Sequence, residues 1–352
     1  MTERLRRSTA WRAAGLLAAC IALLVAVAAL VAALSLLTGH DPFRALDALW
    51  RGSVGSRYAL LSATLVRATP LILTGLAVTL AFTAGVMNIG AEGQLLAGGA
   101  AAATVDAIAG PGVGWLSVPL VLLSGALAGA GWAFLPAWLR RRFGVLEVIS
   151  TIMMNFVALY MVGYLVRGPL QEPLRIYPQS PALSESARLP IIVSGTRLHL
   201  GFSIALVCGA MLWWALRSTA AGFRVRVLGA NPDAARSAGL IDVGRTAMRA
   251  FLLSGALAGL AGAIEVAGRA GYVTLDMSPG YGYSGIVIAM LGALHPLASM
   301  AAAVFVAGVL VGADSMSRAI GVPTYIADVI VAASLISVLV ATLLAQYRVR
   351  WK

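Results

Sequence analysis

The residues best equipped for chemistry in this chain cluster in Met87-Asn88-Ile89-Gly90-Ala91-Glu92-Gly93-Gln94. An amide, a carboxylate and a second amide stand among two glycines there. An apolar or small run, 68–87, precedes them and another, 95–109, follows. Side chains of these types supply hydrogen bonds rather than nucleophilic attack. At membrane depth an unpaired polar group costs several kcal/mol, so such a break is tolerated only when buried in protein or lining a wet cavity. Gly90 and Gly93 are read as the points where the backbone leaves the helix, and the stretch as one wall of a substrate path.

Each candidate carries two readings. Glu92, an ionisable group near membrane depth, either meets the solute, caps the span that follows or pairs with an arginine. Asn88 and Gln94 either donate to and accept from a passing molecule or tie the broken backbone together. Asn155 lies about two turns beyond Glu147, on the same helical face, and either faces the path or bonds a neighbouring helix. Tyr281 and Tyr283 stand at a second break, Ser278-Pro279-Gly280-Tyr281-Gly282-Tyr283, and either stack on a ring or anchor an interface. His295, before Pro296, reads as a helix-end cap. The three histidines have no metal-ligand spacing and no nucleophile–base pair stands out, so neither a metal site nor a catalytic site is expected.

The elements that must position these groups follow from composition. Of 352 residues, 60% are hydrophobic and only 11% charged, against roughly 25% charged in soluble domains. The chain therefore reads as an all-α polytopic membrane protein. Its net charge of +12 is carried by arginine apart from Lys352. The arginines sit in clusters between apolar runs, a topological pattern and not a nucleic-acid surface. Cys20 and Cys208 lie inside apolar runs, which excludes a disulfide framework.

Runs of roughly 20 apolar residues place about ten spans, at 13–37, 68–87, 95–109, 115–139, 148–166, 200–216, 250–267, 285–294, 297–313 and 325–345. The first is too long for a signal peptide and reads as an uncleaved helix despite Leu17-Ala18-Ala19-Cys20. Residues 40–67 read as a polar connection, part of it an amphipathic interfacial helix. With both termini in the cytoplasm, the four basic clusters (1–12, Arg140–Arg142, 217–249 and 348–352) fall on one side, as cytoplasmic loops require. The proline-rich segment 167–199 is then an extracytoplasmic loop. Residues 68–166 and 250–345 echo one another as long run, break and short helix in opposite orientation, the pattern of inverted repeats around a transport site. The runs of Gly and Ala at 97–103 and 255–262 read as faces for close helix packing.

The cytoplasmic loop contains a short helix with its own punctuation. Asn231 suits the N-cap, Pro232 the first position, Asp233 the positive dipole end and Gly239 the C′ stop, with Arg236 between. Too short to span, it is shaped either to be gripped by another protein or to lie as an interfacial turn between spans.

Three stretches in this order, Asn88–Gln94, Glu147–Asn155 and Gly229–Arg236, resemble the permease subunits of bacterial ABC importers for nucleosides, a branch of the ribose and branched-chain amino acid permease family. The likeness covers nearly the whole chain, which is thus expected to be a single permease domain. The resemblance implies that Asn231, Pro232, Asp233, Arg236 and Gly239 belong to a coupling helix that docks on a separate ATP-binding cassette subunit. It implies a second permease subunit, an extracytoplasmic substrate-binding protein and a bacterial inner-membrane location. The chain lacks a GxxxxGK[ST] stretch, so ATP and Mg are expected on the partner, with no cofactor bound by this chain and no enzymatic activity of its own. The alternatives are a ribose-like sugar or an amino acid as solute, or an ion-coupled secondary transporter.

Overall fold

In a computed structural model of the chain, residues 39–237, 239 and 241–321 are described, with 25, 28–33, 35, 36, 325, 328, 329, 331–333 and 336. The spans expected at 13–37 and 325–345 lie wholly or largely outside the described residues, as do the basic segments 1–12 and 348–352. The described residues are helical or irregular, with one isolated bridge between Ile191 and His199 and no strand. Six of the helices are long and apolar enough to cross a membrane. Contacts group the residues into two compact units, one drawn from 1–60 and 308–352, the other from 61–307.

In the first unit, α1 (Pro42–Ser53) is an amphipathic helix in the segment read as a polar connection. Asp41 Oδ1 accepts from Phe43 N–H at 2.9 Å, and Pro42 occupies the position where a missing N–H is harmless. Gly52 lies against Ser315 and Gly312 against Leu49.

The second unit is built on two buried helices, α2 (Arg57–Thr83) and α9 (Val243–Ala270). Their apolar stretches are 83% and 72% buried, against 22–28% for α4 (Ser117–Phe143), α5 (Glu147–Arg167) and α6 (Leu200–Ser218), which form the outer layer. Between them lie α3 (Ala91–Ala109), whose small side chains give way to close neighbours, and α10 (Tyr281–Leu291). α11 (Pro296–Ile320) follows a tight turn in which Ala293 and Leu294 take positive φ, 49° and 57°. α2 begins earlier than the expected 68 because Ser56 caps a helical start, its Oγ accepting from Ala59 N–H at 3.0 Å. Arg67 is thereby carried inside the helix.

Glycines decide the packing of α3, α4 and α9. A side chain at Gly259 would meet the Gly125 carbonyl and lie 2.7 Å from Gly129 Cα. Gly98 faces Gly259, and Gly262 lies 2.8 Å, measured from an added Cβ, from Gly99 N. Backbones that approach this closely gain dispersion contacts where lipid offers no hydrophobic gain.

The Arg-rich segment expected to hold one short helix folds into two: α7 (Ala220–Ala230), capped by Thr219 Oγ1 on Gly222 N–H at 3.0 Å, and α8 (Pro232–Ser237). α9 starts at Val243, so Arg245 and Arg249 are helical and the connection is shorter than 217–249.

Residues 168–199 form an ordered irregular loop. Asp106 at the end of α3 receives both the backbone N–H (2.7 Å) and the hydroxyl (2.6 Å) of Ser184. The loop ends on His199, which is 2% exposed. Burial, helped by the nearby positive charge of Arg269, pushes its imidazole down to about 4. An unfolded histidine binds its proton near 6.5, so below that value only the unfolded chain gains the proton. Stability is therefore expected to fall as pH drops from about 6.5 towards 4, by roughly 3 kcal/mol in full. Thermal melts of the purified protein check this. The His199→Gln variant should lose that part of the slope, and an unchanged slope would refute the assignment.

Candidate functional site

The break between α2 and α3 is shorter than its sequence suggests. It runs from Ala84 to Gly90, and the left-handed residue that turns the chain is Gly85, φ +69°, not Gly90 or Gly93. Glu92 and Gln94 consequently sit in the first turn of α3 rather than in the gap. The second break behaves alike: α10 starts at Tyr281, so Tyr281 and Tyr283 occupy its first turn.

Asn88, wholly buried, is the knot of the first break. Its Oδ1 accepts from Gly90 N–H at 3.0 Å and from Gln94 Nε2 at 2.9 Å. Its Nδ2 donates to Gln94 Oε1 and to Ser254 Oγ, both at 2.9 Å. Ser254 passes the connection on by donating to the Ala77 carbonyl at 2.7 Å. The Asn88 carboxamide thus has both donors and both acceptor directions in use, and the pairing with Gln94 ties the loop to α3 while Ser254 ties it to α9. Ser254 was not legible as a partner, since a serine in a Gly/Ala run carries no signal of its own.

Asn155 on α5 holds the other side. Its Oδ1 accepts from Gly93 N–H at 2.8 Å, and its Nδ2 donates to the Ile89 carbonyl at 3.0 Å and to the Tyr283 hydroxyl at 3.3 Å. Gly93 is required for this approach: an added Cβ would lie 2.9 Å from Asn155 Oδ1. Tyr283 is 43% exposed, the most open of the residues read as lining the path, while Tyr281 is buried.

Glu92 joins the two breaks. One carboxylate oxygen accepts from Gly282 N–H at 2.7 Å, and Ser278 and the Gly280 backbone also reach the carboxylate. A carboxylate from the start of α3 therefore caps the start of α10, placing negative charge where the helix dipole favours it. Gly282 lets the two N-termini meet, because a Cβ there would run into the Glu92 backbone. Tyr281 is fixed from α2, where Thr74 Oγ1 donates to its carbonyl at 3.0 Å.

Towards α8 the break is held by charge. Glu147 Oε1 accepts from Met87 N–H at 3.3 Å and pairs with Arg140 Nη1 at 2.9 Å. Asn231, Pro232, Asp233, Arg236 and Gly239 come together as the sequence pattern suggests. Asn231 Oδ1 accepts from Asp233 N–H (3.1 Å) and Ala234 N–H (2.9 Å), Arg236 pairs with Asp233 at 2.9 Å, and Gly239 ends the element at φ +64°. α7 connects α8 to the break: Leu228 packs with Ala84, Val86 and Phe251, and Gly229 fits against Thr83 and Gly85. A cavity of about 430 Å³ lies beside this contact, lined among others by Gly85, Arg140, Arg141, Asp233 and Arg236.

A second cavity, about 630 Å³, opens between the end of α5 and the segment before α10, lined by Tyr160, Tyr164, Arg167, Leu275 and Asp276 among others. It is within the usual volume range of small-molecule sites. None of its residues is among the sequence candidates; Arg167 enters there only as the first residue of the proline-rich segment 167–199.

Residues 60–339 match the family described as branched-chain amino acid transport system / permease component. The chain is 38% identical to the guanosine ABC transporter permease protein NupP of Bacillus subtilis, over 91% of this chain and 92% of that one. It is 37% identical to the glucose ABC transporter permease protein TsgB13 of Haloferax volcanii, over 98% and 92%. It is also 30% identical to the nucleoside ABC transporter permease protein NupB of Lactococcus lactis, over 84% and 83%.

Proposed function

The chain belongs to the branched-chain amino acid transport system permease family and is a permease component of an ABC transporter, and from that premise we propose that it carries a nucleoside-like solute into the cell. The observation that carries this reading is the meeting of the two breaks: Glu92 holds Gly282, and Asn155 holds both Gly93 and the exposed Tyr283. Tyr283 offers a ring face and Asn155 an amide beside it, a pairing suited to a planar heterocycle with polar edges. The cavity with Tyr160, Tyr164, Arg167 and Asp276 is the vestibule through which the solute arrives. In this reading Asn88, Gln94 and Tyr281 hold the walls, and Glu92 positions the two helix starts.

The architecture we propose has about ten spans and inverted repeats, 68–166 and 250–345, in which α2–break–α3 and α9–break–α10 correspond. Segment 167–199 lies outside the cell and 217–249 in the cytoplasm, with both termini cytoplasmic in a bacterial inner membrane. A second permease subunit completes the path, and a binding protein delivers the solute. A cassette subunit carries ATP and Mg, grips α8 and pushes through α7 onto Gly85 and the break. A sugar is the second reading, favoured by the 37% identity to the glucose permease over 98% of this chain.

Solute identity is tested by measuring which compounds the cognate binding protein retains and which the reconstituted transporter accumulates. Guanosine and adenosine are expected, and retention of glucose alone would overturn the nucleoside assignment. For coupling, the Asn231→Ala/Asp233→Ala pair is expected to cut solute-stimulated ATPase by about tenfold, since lost capping and dipole terms of roughly 1 kcal/mol each loosen the helix. Unaltered stimulation and cassette binding would remove α8 from the coupling route.

A further inference from the structure

Both central helices leave α-helical geometry in a π-turn: Leu60–Thr64 near the start of α2 and Val266–Ala270 at the end of α9. Such turns carry an extra residue at some energetic cost and recur at functional sites. The loop 168–199 is docked on both. Arg197 N–H donates to Ser62 Oγ in the first at 3.1 Å. Leu189 N–H donates to the Ala267 carbonyl in the second at 2.9 Å. The His199 ring covers Gly268, where an added Cβ would lie 2.5–2.7 Å from three ring atoms. The ring's Nδ1 is buried without a hydrogen-bond partner, so the imidazole is seated by shape and not by a bond of that atom.

Beneath the second π-turn lies a charged network that the break does not use. Glu265, 1% exposed, pairs with Arg269 of the same π-turn. Arg67 of α2 adds positive charge beside Glu265 and reaches the Tyr281 hydroxyl. Tyr281 is the first residue of α10, and the next N–H along the chain, that of Gly282, is the one held by Glu92. A continuous set of contacts therefore runs from the loop, through the two π-turns and the Arg67–Glu265–Arg269–Tyr281 network, to the joined breaks.

We propose that His199 on Gly268 is the point where a protein bound to the loop 168–199 acts on the solute path, with His199 a positioning residue that holds the π-turns and, through them, the start of α10. The partner is the solute-delivering protein, so this inference rests on the functional reading above. Its binding moves the loop and shifts His199 on Gly268, and the two π-turns then change the placement of Tyr281 and Gly282. Contacts of this kind transmit coupling only if the element they hold has two arrangements, and a helix that can pass between π and α geometry provides them.

The test uses the complete transporter in lipid nanodiscs, with cassette, both permease subunits and binding protein, and compares ATPase activity with and without solute-loaded binding protein. Gly268→Ala, which displaces the ring, is expected to lower the stimulated-to-basal ratio at least fivefold while basal activity stays within twofold. His199→Ala, which removes the ring without adding bulk, should do the same and provides the answer if Gly268→Ala fails to assemble. Hydrogen exchange at 60–64 and 266–270 should rise in both. Full stimulation in an assembled variant of either kind overturns this inference alone. If the wild type itself shows no stimulation by binding protein, the functional reading fails and this inference with it.

Discussion

Gly259→Val is expected to abolish assembly of the protein. The added side chain would be driven into the Gly125 carbonyl and the Gly129 backbone, which belong to a neighbouring helix and cannot rotate away as a side chain can. Overpacking of a core ordinarily costs about 1–3 kcal/mol. Here α3, α4 and α9 are in mutual contact through Gly98, Gly125, Gly129, Gly255 and Gly259, so separating one pair disturbs the others. The loss is expected to exceed that range and to take most of a typical 5–15 kcal/mol of stability (about half or more). The measurement is the yield of monodisperse protein in size-exclusion chromatography and its melting temperature. Gly131→Ala is the control, on α4 two residues beyond Gly129. Beyond the backbone of its own helix turn and its chain neighbours, nothing lies within 4 Å of the position a Cβ would take there, and alanine should leave the protein unchanged or stabilise it by up to about 1 kcal/mol. A well-behaved Gly259→Val protein with wild-type melting would show that the glycine contacts do not govern assembly.

Glu92→Ala is expected to cause the largest loss of transport in a protein that still inserts. It leaves the Gly282 N–H without its acceptor inside the protein and removes the only side chain seen linking α3 to the first turn of α10 among the described hydrogen bonds. Hydrogen bonds to charged groups contribute roughly 1.5–3 kcal/mol, which converts to about ten- to hundredfold in the population of the joined state. Uptake in proteoliposomes should fall by that factor. Glu92→Gln retains an acceptor oxygen in the same place and should lose less than about tenfold. If Glu92→Ala and Glu92→Gln transport equally well as the wild type, the joined breaks are not part of the solute path.

How much of this could be read beforehand differs from element to element. α8 was legible in full, because capping is a local matter: Asn231, Pro232, Asp233 and Gly239 satisfy backbone groups within a few residues of themselves. The presence of the two breaks was legible too, because amides, carboxylates and glycines inside apolar runs cannot be reconciled with an unbroken lipid-facing helix. Their limits were not. Gly93 reads as a helix breaker, yet it is helical and its missing side chain makes room for Asn155, far along the chain. Arg67 reads as a boundary charge, yet it is carried inside α2 and meets Tyr281.

The sequence by itself determined that this is a helical membrane chain, where its helices are interrupted, and which short helix stands alone with its own caps; each follows from hydropathy and from hydrogen bonds made close by. Only the tertiary structure decided that Glu92 caps α10 instead of its own helix, that Ser254 and Asn155 clamp the first break, and that His199 rests on Gly268. Those pairings depend on which backbones approach closely enough to touch. That is set by glycine-to-glycine packing between helices distant in sequence, for which no local pattern carries the partner's address.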